Sequence, residues 1–441
     1  MISSKNLIQI LVFFGGILIS LTAIFLTGAE KVSFGDAEDY ILAANALLRD
    51  IGDYPASGIC LPFFRPPFYP FFITSIWLVF PKSILAVKIA QGMIFGANCW
   101  IIYRIGFALS QNATAAALGA LVFLLNPFFV LHVTDIQTET LHTFLFSSAM
   151  LILVKILTTK AVFHKIVWKA SAVGALWGLA ALCRPSALPV ALVLTGCLFF
   201  LKFRELKFFR SFALGATIAG GVFLTILPWA LVNYQRTGEF IWINDASGYA
   251  LWVGNHPKSI ALYEHDFLDL EAYDRYCNYL LDDLAREKIA EWNRTENYAA
   301  LSLKQREKLW QREALANMRA NPALTARLWF YKTWAFWKPY LNPMAYSAAA
   351  VIFSGIFLIA LFLAAFYGAK IVWTDYNNKQ VMILFGVLFL SATAVHVFIV
   401  SMIRYRVPYV DVYFCVLAGI FAHNLGDAIR SVLQNRKLKL S

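Results

Sequence analysis

Pro66-Pro67-Phe68-Tyr69-Pro70-Phe71-Phe72-Ile73-Thr74-Ser75-Ile76-Trp77-Leu78-Val79-Phe80 is the stretch on which the architecture turns. It is apolar enough to pass for a membrane span, and counting it as one reverses the side of every loop downstream. As a helix it covers about 22 Å at 1.5 Å per residue, short of a hydrocarbon core of roughly 30 Å. It opens on Pro-Pro, a good helix start and a poor helix interior. Charge weighs the same way: if the stretch spans, the Lys202–Arg210 cluster and the Arg430–Lys439 tail face outward, against the bias of basic residues toward the cytoplasm. We read it as a helix lying in, or re-entering, the outer leaflet.

The rest of the chain reads as an all-α polytopic membrane protein. Of its 441 residues, 60% are hydrophobic, against roughly 45–50% apolar in soluble domains, and mean hydropathy is +0.62. Apolar runs predict ten spans at 7–27, 84–108, 113–131, 138–158, 167–183, 185–202, 211–231, 346–372, 380–402 and 407–425, with both termini cytoplasmic. The first run, Leu7 to Leu26, is too long for a signal-peptide core and reads as a retained span. The net charge of +12 lies almost wholly in the predicted cytoplasmic loops and tail, so it follows from topology and implies no nucleic-acid partner. Of the six cysteines only Cys60 and Cys277 fall in loops, and none has metal-ligand spacing. The organisation predicted is a membrane core over 1–231 whose first outer loop is 28–83, a helical outer cap over 232–345, and a C-terminal bundle with a basic tail over 346–441.

Charged residues then collect on the outer side. Asp36, Glu38 and Asp39 open the first outer loop, and Asp36 shares a helix face with Tyr40, while Asp39 is expected to turn elsewhere. Arg65 stands before the Pro-Pro helix start, where a guanidinium beside a helix N-terminus suits a phosphate. Asp135 and Glu139, four apart, are expected on one face at a helix start. Glu139 lies in an apolar context, where an ionisable group is a functional candidate. Arg184, Arg404 and Arg406 stand outside against the charge bias and call for an anionic partner. The histidines, His256 among them, are too scattered to specify a metal site, although a divalent cation is compatible with the acidic set.

Seven stretches in order resemble integral-membrane glycosyltransferases of the GT-C class, closest to the bacterial branch of the protein-mannosyltransferase superfamily, which includes lipid A aminoarabinose and galacturonosyl transferases. They are 35–40, Arg65-Pro66-Pro67-Phe68-Tyr69-Pro70, 138–144, Cys183-Arg184-Pro185-Ser186, 227–234, 248–257 and Arg404-Tyr405-Arg406-Val407-Pro408. The resemblance implies an inverting transferase that moves a sugar from a polyprenyl-phosphate donor to a lipid, polysaccharide or protein acceptor, at the outer face of a bacterial plasma membrane. It carries the base role onto Asp36, an accompanying acidic role onto Glu139, and donor-phosphate contact onto Arg65, with Arg184, Arg404 and Arg406 beside it. Glu38, Asp39, Tyr40, Tyr69, Asp135, Asn255 and His256 stand as accessory positions. Where the aminoarabinose branch usually has a lysine this chain has Arg65, and Ala37 replaces a common acidic residue. A lipid-linked glycan polymerase or ligase, or a flippase, is the alternative class. A pKa raised by burial is expected to make Asp36 a better base.

Overall fold

The computed structural model describes residues 4–32, 36–50, 56–57, 61–62, 65–159, 161–260, 263, 281–341, 343, 346–374 and 376–440. Cys60 and Cys277 lie outside them. The decisive stretch forms a short helix, and the chain opens with α1 (Ser4–Thr27), α2 (Asp36–Arg49) and this α3 (Phe68–Trp77). Ten residues of α3 rise about 15 Å, half the hydrocarbon thickness. The only strand pairing among the described residues is Ala56–Ser57 with Leu61–Pro62, two residues a side.

Then follow α4 (Ile84–Ser110), α5 (Ala113–Leu124), α6 (Pro127–Val133), α7 (Glu139–Thr158), α8 (Phe163–Cys183) and α9 (Ala187–Thr237). Asn126 caps α6 through its side chain and Pro127 sits at its first turn, so the chain bends 58° between α5 and α6. At 51 residues α9 is too long for one crossing, and it breaks at Lys207, whose φ of 63° is left-handed. Phe199 and Phe203 pack on Phe208 across the break, and Thr195 meets the Gly215 backbone, so the two halves fold back as a hairpin. Among the described residues, eight helices are long and apolar enough to span, with the bent α5–α6 pair a ninth. Dividing α9 and joining α5 with α6 gives the ten spans expected.

The segment after α9 supplies α10 (Ser247–Asn255), α11 (Leu281–Thr295), α12 (Leu303–Ala320) and α13 (Pro322–Trp337). These helices gather a small core of their own around Trp252, Trp292, Tyr298 and Trp310. α14 (Ala348–Val372), α15 (Tyr376–Phe398), α16 (Ile403–Arg406) and α17 (Val412–Leu440) complete the bundle, with a π-helical turn at Val407–Asp411 around Pro408.

Asn255 and Gly254 dock the cap on the bundle. Asn255 donates to the carbonyls of Leu251 and Phe398, both at 2.9 Å, and accepts from Trp329 and the buried Lys332, both at 3.2 Å. Lys332 also donates to the Ile399 carbonyl at 2.8 Å. A Cβ on Gly254 would stand 1.7 Å from the Ile399 oxygen, so only glycine permits this approach. Gly254→Ala is therefore expected to push the cap off the 398–401 turn and cost about 1–3 kcal/mol, the usual range for overpacking, read as a lower thermal midpoint in detergent. An unchanged midpoint contradicts the docking role.

Candidate active site

Asp36 and Asp39 occupy the first turn of α2, where carboxylates complement the helix dipole. α2 buries Ala37, Tyr40, Ala43 and Ala44 against α3, with the Tyr40 ring edge-on to Tyr69 at 4.9 Å. That packing fixes the carboxylates over Arg65. The guanidinium donates to Asp36 Oδ1 at 2.6 Å and twice to Asp39 Oδ2, at 2.7 and 2.9 Å. Asp39 therefore shares the site instead of turning away, because a three-residue spacing also places two side chains on one helix face. Arg65 lies 5.5 Å from the Tyr40 ring, its side chain held by protein groups.

Arg404 arrives from the far end of the chain and donates to Asp36 Oδ2 at 2.5 Å, so Asp36 bridges two arginines. Its Nε stands 3.8 Å from Glu139 Oε1, which Arg184 pairs at 2.8 Å. The Glu139 side chain is only 4% exposed and sits at the first residue of α7. Tyr405 lies between the two cations, 5.0 Å from Arg184 and 5.2 Å from Arg404. Six charged groups, Asp36, Asp39, Arg65, Glu139, Arg184 and Arg404, thus meet at one end of the bundle from four separate connections. With ten spans, loops one, three, five and nine fall on one side of the membrane, the condition for this meeting.

Burial pushes the Asp36 carboxyl up, but Arg404 and Arg65 outweigh it and hold the group well below the usual carboxylate range. This corrects the expectation of a raised pKa: the paired cations favour the charge more than desolvation opposes it.

Several expected contributors stand elsewhere. Arg406 is wholly buried, two positions beyond Arg404 and so about 200° round the helix. It is bound to Asp411 at 2.8 and 3.1 Å, and it donates to the carbonyls of Phe336 and Lys338. That guanidinium is committed to holding α13 against the last span, which corrects its assignment to a donor phosphate. Asp135 lies in the turn before α7, not on the helix, and accepts from the Ile136 amide and from Gln137. Asn255 is the docking residue described above. His256 lies beside Trp252, ring centroids 5.0 Å apart and tilted by 59°, and accepts from the Lys258 amide. Glu38 is exposed on the outer side of α2.

Two contributors escape the sequence reading. Gln91 accepts from the Tyr69 hydroxyl and donates to the carbonyls of Val133 and Asp135 at 3.2 and 2.7 Å, tying α3 to the turn that leads into Glu139. A glutamine inside an apolar span was its signal. Tyr405 lies in a quoted motif, but nothing in the sequence shows that arginines from two loops flank it.

The donor set does not fit a divalent cation. Both Asp36 oxygens and Glu139 Oε1 already face guanidinium groups, and among the described residues no three His, Cys, Asp or Glu side chains converge. Arginine supplies the positive charge at this end.

Residues 64–230 match the family described as dolichyl-phosphate-mannose-protein mannosyltransferase. No curated protein matches the sequence. Among solved structures, the chain resembles the oligosaccharyltransferase AglB of Archaeoglobus fulgidus. With its inhibitory peptide and dolichol-phosphate complex the TM-score is 0.54 at 12% identity, over 97% of this chain and 52% of that one. With the apo form it is 0.56 at 12% identity, over the same shares. ArnT of Cupriavidus metallidurans bound to undecaprenyl phosphate aligns at 12% identity and a TM-score of 0.41, over 92% of this chain and 77% of that one. The chain spans about half the length of AglB. It is a multi-pass membrane protein with the GT-C fold of integral-membrane glycosyltransferases, and its residues 64–230 match the protein-mannosyltransferase family within that class.

Proposed function

We propose that the chain is an inverting glycosyltransferase that moves a sugar from a polyprenyl-phosphate donor to an envelope acceptor hydroxyl at the outer membrane face. The observation that carries this reading is Asp36 bridged by Arg65 and Arg404 beside the Glu139–Arg184 pair. A carboxylate and several arginines are what such a transfer needs. The leaving polyprenyl phosphate is a weak base, so no general acid is required. The acceptor oxygen bonds to the anomeric carbon as the carbon–phosphate-oxygen bond breaks. The acceptor proton goes to Asp36, and the phosphate leaves with the electron pair, its charge met by guanidinium groups. The charge asymmetry of the loops supports the outward orientation.

The arginines that grip Asp36 are the same groups a donor phosphate would draw on. As they turn to the phosphate, Asp36 loses the interactions that depress its pKa and becomes a stronger base once donor is bound. In the donor-free protein Asp36 is ionised far below neutrality. Because kcat/KM reports the free enzyme, lowering the pH from 8 to 5 is expected to produce no acid limb in it from Asp36. The acid limb of kcat, which reports the donor complex, should lie at higher pH. An acid limb near pH 6 in kcat/KM contradicts the assignment of Asp36 as base.

Donor use tests the clamp. Arg65→Ala removes a charge-assisted contact worth about 1.5–3 kcal/mol, which is roughly tenfold or more in affinity. The expected result is a raised KM for the polyprenyl-phosphate sugar with acceptor KM unchanged. An unchanged donor KM overturns the phosphate role.

A further inference from the structure

The cap carries a second acidic feature, built from residues other than Asp36 and Glu139. An open cleft of about 290 Å³ lies between the 240–247 segment, the start of α12, and Pro185 and Leu188 at the α8–α9 turn. Such a volume is at the small end of ligand sites. Asp245 lines it and is 6% exposed, and neither of its carboxylate oxygens has a hydrogen-bond partner. Glu307 stands beside it. Its Oε1 accepts from the Ser247 hydroxyl and the Gly248 amide, and its Oε2 has no partner.

A buried carboxylate without a hydrogen-bond partner, next to a half-buried second one, is costly. Burial, with Glu307 adding to it, pushes the Asp245 carboxyl up to about 7. The nearby cations do not neutralise the pair. Arg306 is spent on the carbonyls of Tyr298 and Ala299, and Lys304 lies exposed at the rim with no ion pair to either acid. The remaining walls include Phe240 and Trp242, whose rings lie 6.1 Å apart. A lining that combines aromatic rings with carboxylates favours an organic cation. A bare metal ion fits less well, because no third acidic, histidine or cysteine side chain joins these two among the described residues.

We infer that the Asp245–Glu307 cleft binds a small organic ligand through a primary ammonium group, seated between the two carboxylates with Trp242 in the cleft wall. This rests on the cleft alone and does not require sugar transfer.

Calorimetric titration of the full-length protein in nanodiscs at pH 7 tests it, with glucosamine and glucose as probes that share a ring and differ in the ammonium. Glucosamine is expected to bind at least about tenfold more tightly than glucose, as a charge-assisted hydrogen bond implies. Asp245→Asn and, separately, Glu307→Gln should shrink that preference. Equal binding of the two sugars, no binding of glucosamine, or a preference untouched in both variants overturns the inference. So does magnesium chloride that displaces glucosamine from the wild-type protein at micromolar concentration, which would mark a metal site.

Discussion

Asp36→Asn is expected to lower transfer by about 10²–10⁴-fold, the range for loss of a positioned general base, while the protein stays folded. The isosteric amide keeps the shape of the site but cannot take the acceptor proton. Folding should survive because neither arginine is stranded. Arg65 keeps two bonds to Asp39, and Arg404 keeps Glu139 at 3.8 Å. Turnover should therefore collapse while size-exclusion profile and thermal midpoint stay close to wild type. A folded Asp36→Asn protein with wild-type turnover removes Asp36 from the chemistry. Loss of both fold and turnover would instead make the Asp36 bridge a structural tie.

Arg406→Ala should produce the largest loss of stability, and for a different reason. The pair with Asp411 is wholly buried, so removing the guanidinium leaves an uncompensated carboxylate and takes a donor from the Phe336 and Lys338 carbonyls. Breaking such a pair costs about 3–5 kcal/mol. Replacing both partners with apolar residues of similar volume, as in Arg406→Met with Asp411→Leu, should recover much of that loss, because no buried charge remains. Thermal unfolding in detergent separates the single from the double variant. A stable Arg406→Ala protein with impaired donor binding would return Arg406 to the phosphate clamp.

These two variants mark where the sequence is readable and where it stops. The span count and the status of α3 follow from length, Pro-Pro and charge asymmetry, all one-dimensional quantities that the bilayer imposes. Parity puts the connections that carry Asp36, Arg65, Glu139, Arg184 and Arg404 on one side, which permits their meeting but does not dictate it. Rotation about a helix axis is harder to read. Arg404 and Arg406 look equivalent in Arg404-Tyr405-Arg406, yet one meets Asp36 and the other Asp411. The two-residue offset does predict opposite faces, but it does not say which face meets the site. The break at Lys207 carries no proline or glycine to announce it. The sign of the Asp36 shift is not legible in the sequence, because burial can be anticipated there, whereas a partner as distant in the chain as Arg404 cannot.

Sugar transfer that depends on Asp36 is the central expectation for this protein. Mass spectrometry of envelope glycans from a strain lacking the gene, complemented with wild type or with Asp36→Asn, tests it most directly. A glycan or lipid one sugar lighter in the deletion strain, restored by wild type and not by Asp36→Asn, is the predicted result. Identical glycans in all strains, or full restoration by Asp36→Asn, would contradict it.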